Sequence, residues 1–232
     1  MVYCLRLSHF CYGVNMKISE QTLNILKNFS TINNSILVRP GNIVSTVTPL
    51  KTIFGKATVE EDFPKQFCIY ELTKFLGVVS LMNDPEFEFG DKQVTITSGK
   101  QSISYSYADE SMIEAAPLKS IVMPSNVAQF ELDGQDLSRM IKALSVLQLP
   151  EMSIRGDGEK IYLEAVNSKD KSSNKFSIEV GETGSVFNAF IKSEKIKMLN
   201  RTYHATVSDK RVVMLESDNL TYWISCDQHS QF

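Results

Sequence analysis

The order of helix and strand signals repeats once along the chain, and this repeat limits the possible folds most strongly. Ser19, a favourable N-cap residue, precedes an amphipathic helix that ends near Ile32,. Four strand patterns follow, then a helix over residues 71–82 and three short strands,. A helix over residues 135–148 begins a second succession of four strands, a short helix after Ser193 and three strands. Element order repeated at an offset of about 116 residues predicts two copies of one fold,.

The repeat predicts an α+β chain with two domains of similar architecture, at residues 16–111 and 129–232. Residues 112–128 contain Pro117 and Pro124 and have no helical period, which is typical of an extended linker,. Residues 1–15 differ in character from the rest and match a signal peptide poorly,. They are interpreted as an extension that is disordered or lies upstream of a natural start at Met16.

Composition excludes several classes of protein. The chain has 24 Lys and Arg against 27 Asp and Glu, a net charge of −3, so a general basic coat for nucleic acid is excluded,. No apolar run approaches the roughly 18 residues of a membrane-spanning helix. The four cysteines form no CxxC pair and no metal-like cluster with the histidines,. Reduced thiols of a cytoplasmic protein, with no metal and no cofactor, are therefore expected.

The positive charge is concentrated on the predicted helices. Eight basic residues lie on them or just ahead of them: Lys17, Lys27, Lys74, Arg139, Lys142, Lys192, Lys195 and Lys197. Four acids, all in first turns, leave the helices at +4 and the remaining chain at −7,. Side by side, such helices would form a surface that attracts phosphates but carries no array for reading bases. Ordinary solvated lysines remain the alternative interpretation for each residue taken singly.

Two segments of the first half carry a family resemblance. MKISEQTLNILKNFSTINNSI from Met16 and IYELTKFLGVVSLMND at residues 69–84 resemble the sliding clamp of T-even-type bacteriophages. The most specific matches are LKNF with TIN, and FLG with SL. In the second half, Lys197-Met198 and the acidic tail ending in Phe232 also fit. The resemblance covers about residues 16–232.

The resemblance implies a homotrimer whose six similar domains surround a hole, with helices lining the hole and antiparallel sheets outside. It implies a protein without catalytic activity that holds a replicative DNA polymerase on duplex DNA, without sequence specificity, in the cytoplasm of the infected bacterial host. It also implies an ATP-driven clamp loader, and engagement of a late-transcription sigma-like factor and coactivator. By resemblance, subunits meet where the strand at residues 102–107 pairs with the strand at residues 175–180.

Two sets of site residues accompany this interpretation. The cations expected to face DNA are Lys27, Lys74, Arg139, Lys142, Lys192, Lys195 and Lys197. A pocket for hydrophobic partner peptides is expected beside the linker, formed by Val122, Met123, Leu147 and Trp223. Ordinary core packing is the competing interpretation of these four residues.

Three other classes remain to be weighed. An enzyme is disfavoured because the sequence has no Walker-type loop, no GxSxG and no HExxH,. A β-rich phage structural or interaction protein would explain the strands but not the one-signed helices. A DNA-binding accessory protein that does not encircle DNA would bind short linear duplex tightly, whereas a clamp would slip off free ends.

Overall fold

The computed structural model describes residues 15–117, 121–170 and 172–232, in two halves with the same element order. Each half runs strand, helix, four strands, helical segment, three strands. The first half contains β1 (Asn15–Lys17), α1 (Glu20–Ile32), β2 (Ile36–Val38), β3 (Gly41–Val47), β4 (Ile53–Phe63), β5 (Phe67–Ile69), α2 (Leu72–Val79), β6 (Glu86–Phe89), β7 (Gln93–Ser98) and β8 (Gln101–Ser106). The second half contains β9 (Ala128–Leu132), α3 (Gly134–Val146), β10 (Glu151–Asp157), β11 (Lys160–Val166), β12 (Phe176–Glu182), β13 (Val186–Lys192), a 3-10 turn (Ser193–Lys195), β14 (Tyr203–Ser208), β15 (Val212–Ser217) and β16 (Leu220–Ser225).

Matching N-caps begin the two long helices. The Ser19 hydroxyl accepts from the Thr22 amide at 3.3 Å, and the Asp133 carboxylate accepts from the Gln135 amide at 2.7 Å,. The caps lie 114 positions apart, so α3 begins slightly earlier than the predicted helix and the true offset is two residues shorter. α1 and α3 each have 13 residues, and they can therefore be compared position by position.

The strands form antiparallel sheets that join the two halves. A six-stranded sheet has the order β3-β4-β16-β15-β14-β9, and two four-stranded sheets have the orders β1-β6-β7-β8 and β12-β11-β10-β13. A further pair joins β2 to β5. Among the described strands, β4 and β16 alone pair across the halves, with Phe54 opposite Trp223 and Gly55 opposite Tyr222. The sheet is thus continuous from one half to the other.

Three details differ from the sequence predictions. β1 and β9, the first strand of each half, were not predicted; β1 includes Asn15, which pairs with Glu88, so the predicted extension ends at least one residue too late. Residues 1–14 lie outside the described part of the chain. The predicted short helix after Ser193 is a single 3-10 turn. The side chains of Lys195 and Lys197 are hydrogen-bonded to distant residues and hold this segment in place.

The main core lies between the helices and the sheets and spans both halves. α1 contacts β3 and β4, whereas α3 contacts β10, β11 and β12. Phe29 of α1 is fully buried, and a Cβ on Gly55 would lie 3.0 Å from its Cε1 atom, so glycine allows the close approach of helix and sheet. None of the described helices is both long and apolar enough to cross a membrane.

Candidate DNA-facing surface and partner groove

Four polar residues connect α1 to the second half, and they are called the interdomain clasp: Asn28, Thr31, Lys197 and Tyr222. The Asn28 amide donates to the Lys197 carbonyl at 2.7 Å, and the Tyr222 hydroxyl donates to Asn28 Oδ1 at 2.6 Å. Lys197 Nζ donates to the Thr31 carbonyl at 2.6 Å, which places a cation at the C-terminal end of α1,. Beneath the clasp, Phe29 meets the Tyr222 ring edge-on at 6.5 Å.

The first half presents Lys27 and Lys74 at its surface. Lys27 is exposed on α1 and has no ion-pair partner among the described residues. Lys74 pairs with Glu71 at 2.6 Å, and the Glu71 carboxylate raises the pKa of Lys74. Both groups of that pair are well exposed, and solvent screening makes such exposed ion pairs weak,. The ammonium of Lys74 can therefore exchange Glu71 for a phosphate at little cost.

In the second half, Arg139 and Lys142 are exposed on α3. Arg139 Nη1 contacts Asp136 at 3.0 Å within the helix, and Lys142 has no ion-pair partner in the described ranges. Lys192 is likewise exposed, at the end of β13. Five of the seven predicted cations thus have accessible charged groups.

Lys195 and Lys197 require correction, because both are engaged within the chain. Lys195 Nζ donates to the Ser225 carbonyl at 2.9 Å and lies 3.3 Å from Asp227, and its side chain is only 11% exposed. It holds the end of β16 and cannot reach a phosphate in this arrangement. Lys197 caps α1 as part of the interdomain clasp. The sequence could not show this, because their partners lie 30 and 166 residues away.

The four residues of the predicted partner pocket do not come together. Phe54 and Trp223 lie with ring centroids 5.0 Å apart, and Met123 packs on the cluster that contains them. Val122 is 84% exposed. Leu147, at the end of α3, packs against the main core and is not part of the cluster that contains Phe54 and Trp223. The linker and β16 therefore contribute to this region, but α3 does not.

A groove that sequence analysis missed opens beside Phe54. It has a volume of about 180 Å³ and is lined by Leu37, Arg39, Pro40, Ile43, Ser45, Phe54, Lys56 and Pro117. Arg39 Nη1 donates to the Ala116 carbonyl at 3.3 Å and holds the start of the linker over the groove. Ile43 is 46% exposed at its edge. The signal in the sequence was an apolar residue at a strand position just after the Pro40-Gly41 turn.

Glu151, Asp227 and His229 also converge, with ligand atoms within 4.8 Å of one another. Each already has a partner: His229 Nε2 lies 3.3 Å from Glu151, the Ser168 amide donates to Glu151 at 3.1 Å, and Lys195 contacts Asp227. The cluster is accounted for by ion pairs that hold the C-terminal tail.

The sheet-and-helix architecture matches solved ring clamps. The structural alignment with A. fulgidus PCNA, solved with the C-terminal region of FEN-1, covers 95% of this chain and 100% of that one. Its TM-score is 0.71 and the sequence identity is 14%. The Borrelia burgdorferi DNA polymerase III subunit beta gives a TM-score of 0.71 at 13% identity, over 98% of this chain and 67% of that one. At these identities the likeness defines the fold class, which is that of a DNA clamp built from repeated domains.

Comparisons of sequence define the family within that class. Residues 17–123 match the family model of DNA polymerase processivity factors, and residues 129–227 match the C-terminal domain of the gp45 sliding clamp. The sliding clamp of Vibrio phage KVP40 is 30% identical over 220 residues, 91% of this chain and 99% of that protein. The sliding clamp of Enterobacteria phage T4 is 29% identical over 195 residues, 81% of this chain and 85% of that protein. The chain belongs to the phage sliding-clamp family of DNA polymerase processivity factors. This confirms the predicted family, the fold of repeated clamp domains and the function of a sliding clamp, whereas the trimer and the engagement of late-transcription factors stay predictions.

Proposed function

We propose that three copies of this chain close into a ring around duplex DNA and tether the replicative polymerase there. Each chain contributes an N-terminal domain at residues 16–111, a linker at 112–128 and a C-terminal domain at 129–232. The observation that carries the proposal is the pairing of β4 with β16, which joins the two domains through a continuous sheet. A repeated domain needs only the same pairing between chains to close a ring.

The strands for that pairing are available. In element order β8 of the first half corresponds to β16, and β12 of the second half corresponds to β4. β8 and β12 are each at the edge of a four-stranded sheet, with unpaired backbone groups on one side,. Pairing of β8 from one subunit with β12 from the next repeats the β4–β16 arrangement. This agrees with the seam expected from the family resemblance.

DNA inside the ring would meet the helices, with Lys27, Lys74 and Lys192 as its principal cations and Lys142 at the border of this surface. A few mobile cations attract phosphates without fixing a register, so the ring can slide. The more acidic remainder of the chain disfavours binding of DNA to the outer wall. The role requires binding and no catalysis.

The groove under the linker is proposed as the site for hydrophobic peptides of partner proteins. Ile43, which is exposed, the buried Phe54 and the linker residue Pro117 form the apolar part of its lining, and Lys56 is also part of the lining. The replicative polymerase is the first such partner. An ATP-driven loader opens the ring in the cytoplasm of the infected bacterial host, and a late-transcription sigma-like factor and coactivator use the same surface.

Light scattering coupled to size-exclusion chromatography tests the ring first. One chain has a mass of 26.1 kDa, so a closed trimer is expected at about 78 kDa over a range of concentrations. A monomer at every concentration would contradict the ring and favour a non-encircling interaction protein. Binding that requires a free DNA end or a loader would distinguish an encircling trimer from a conventional DNA-binding protein.

A further inference from the structure

One side of α3 is uncovered, whereas the same side of α1 is covered. Ile32 of α1 is 4% exposed, but Val146 at the equivalent position of α3 is 80% exposed. Ile25 is fully buried, but the side chain of its equivalent, Arg139, is 62% exposed. The two stripes are Ile25, Asn28 and Ile32 on α1, and Arg139, Lys142 and Val146 on α3.

The second half of the same chain contacts the α1 stripe at Asn28. Tyr222 of β16 and the backbone of Lys197 lie against it and form the interdomain clasp with Asn28 and Thr31. Whatever covers the α3 stripe should therefore be the counterparts of Tyr222 and Lys197 in a first half. That first half must belong to another copy of the chain, because the first half of this chain is already used.

The counterparts can be identified from the strand registers. Tyr222 pairs with Leu215 of β15, and Ile103 occupies the same place in β8, opposite Ile96 of β7. Lys197 precedes the buried Met198 ahead of β14, and Leu81 precedes the buried Met82 ahead of β6. Leu81 is 74% exposed.

We infer that Leu81 and Ile103 of one subunit cover Val146 of the next, and that Lys142 donates a hydrogen bond to the Leu81 carbonyl. This assignment rests on the proposed ring and adds the inner layer of its subunit seam. Arg139 then belongs to the seam rather than to the DNA-facing surface. Lys142 lies at the border between them.

The chemistry of the exchanged residues is mutually consistent. Asn28 both donates to the Lys197 carbonyl and accepts from Tyr222. Its counterpart Lys142 can only donate, and the counterpart of Tyr222 is Ile103, which has no hydroxyl to offer. Where Lys197 sends an ammonium to the end of α1, Leu81 brings an apolar side chain towards exposed Val146. The polar residues of the interdomain clasp are thus replaced on both sides of the subunit seam: Lys142 needs no donor from Ile103, and Leu81 meets an apolar partner in Val146.

The two kinds of seam in the ring therefore differ. The interdomain seam has three clasp hydrogen bonds. At the subunit seam one of them has a counterpart, the bond from Lys142 to the Leu81 carbonyl. The subunit seam relies more on apolar contact and is not linked by a continuous chain. The ring should open there, while the β4–β16 pairing stays closed.

Thiol cross-linking tests the contact. The variant with Leu81→Cys and Lys142→Cys, treated with a short bismaleimide, is expected to give covalent dimers and trimers on denaturing electrophoresis. The matched control combines Leu81→Cys with Ile141→Cys, because Ile141 faces the other side of α3 and lines a hollow with Ser193 and Ile196 of its own half. Single-cysteine variants and the unaltered chain report any contribution of the native thiols.

The outcomes separate this inference from the ring itself. Cross-linking of the first pair only would support the seam. A trimer in which neither pair reacts, or both react equally, would overturn the seam but not the proposed ring, whereas a monomer would overturn the proposed ring.

As a second measurement, Val146→Asp is expected to raise the concentration at which the trimer dissociates at least tenfold. Leu50→Asp, at a site 85% exposed, should leave this concentration unchanged. Equal dissociation of both variants would also contradict the seam.

Discussion

The helices α1 and α3 begin with matching caps and have equal lengths, yet they bury different sides. α1 buries a stripe that includes Ile25, Phe29 and Ile32, whereas α3 buries Leu137, Met140 and Leu144. The first set faces the sheet and the second half of the chain. On α3, the side that carries Arg139 and Val146 is open to solvent in the single chain. Within the described chain, α1 contacts the second half through Asn28 and Thr31, and the proposed subunit seam would supply the corresponding contact for α3.

The comparison teaches that exposure in a repeated domain must be interpreted relative to the other copy. Taken alone, Arg139 and Lys142 look like solvated cations on a helix, and the sequence assigned them to DNA. Compared with α1, they occupy positions that a neighbouring domain covers or borders. Lys27, by contrast, is exposed on a side of α1 that the described residues leave uncovered.

The largest effect on the free energy of unfolding is expected from Phe29→Ala, which removes a buried side chain from the covered side of α1. Phe29 is fully buried and touches Tyr222 of the other half, so the substitution should lower the free energy of unfolding by about 3–5 kcal/mol,. Denaturant unfolding measures the loss. The equivalent position on α3 is already an alanine, Ala143. A loss below about 1 kcal/mol would mean that α1 and β16 do not pack as a unit.

A smaller effect is expected at the start of α1, where Glu61 is only 8% exposed. Burial, the largest single influence, raises the pKa of Glu61, but hydrogen bonds from the Ser19 amide and the Thr22 hydroxyl together outweigh it and lower the pKa. A lowered pKa in the folded state stabilises the fold above the unfolded pKa of glutamate, about 4.3, and this contribution disappears as pH falls through the folded pKa. At α3 a neutral acceptor, the Thr202 hydroxyl, accepts from the Gly134 amide at 3.3 Å.

Glu61→Gln should therefore cost about 1–2 kcal/mol at neutral pH, because it weakens hydrogen bonds to a charged acceptor. The cost should begin to shrink as pH falls below the unfolded pKa of about 4.3, and it should disappear once pH has fallen through the lower pKa of Glu61 in the folded chain,. Thermal unfolding followed from neutral to acidic pH measures both. The matched variant Thr202→Val, in the second half, should change stability by an amount that does not depend on pH. A pH-independent cost for Glu61→Gln would contradict the proposed role of the charge.

Sequence patterns predicted the repeat, most element bounds and the family, because these depend on local features such as the Ser19 cap and the apolar period of α1. They missed β1, whose three residues are defined by pairing with β6, some 70 positions later,. They could not assign Leu147, because an apolar residue at a helix end fits a pocket or a core equally well. Lys195 and Lys197 looked like Lys27, since the partners that engage them are brought near only by the fold.

The smallest effect, and the sharpest test of the comparison, comes from replacing single cations. Lys27→Gln would remove three charges from the pore of a trimer, and the slope of log affinity for DNA against log salt should fall by about 0.9 for each lysine that contacts a phosphate. Arg139→Gln should leave this slope nearly unchanged and weaken the trimer instead, since its equivalent in α1 is buried at a seam. Binding to linear duplex with open ends, compared at several salt concentrations with duplex whose ends are blocked, measures the slope for threaded rings. If Arg139→Gln lowers the slope as much as Lys27→Gln does, Arg139 faces DNA and the equivalence between α1 and α3 does not extend to the subunit seam.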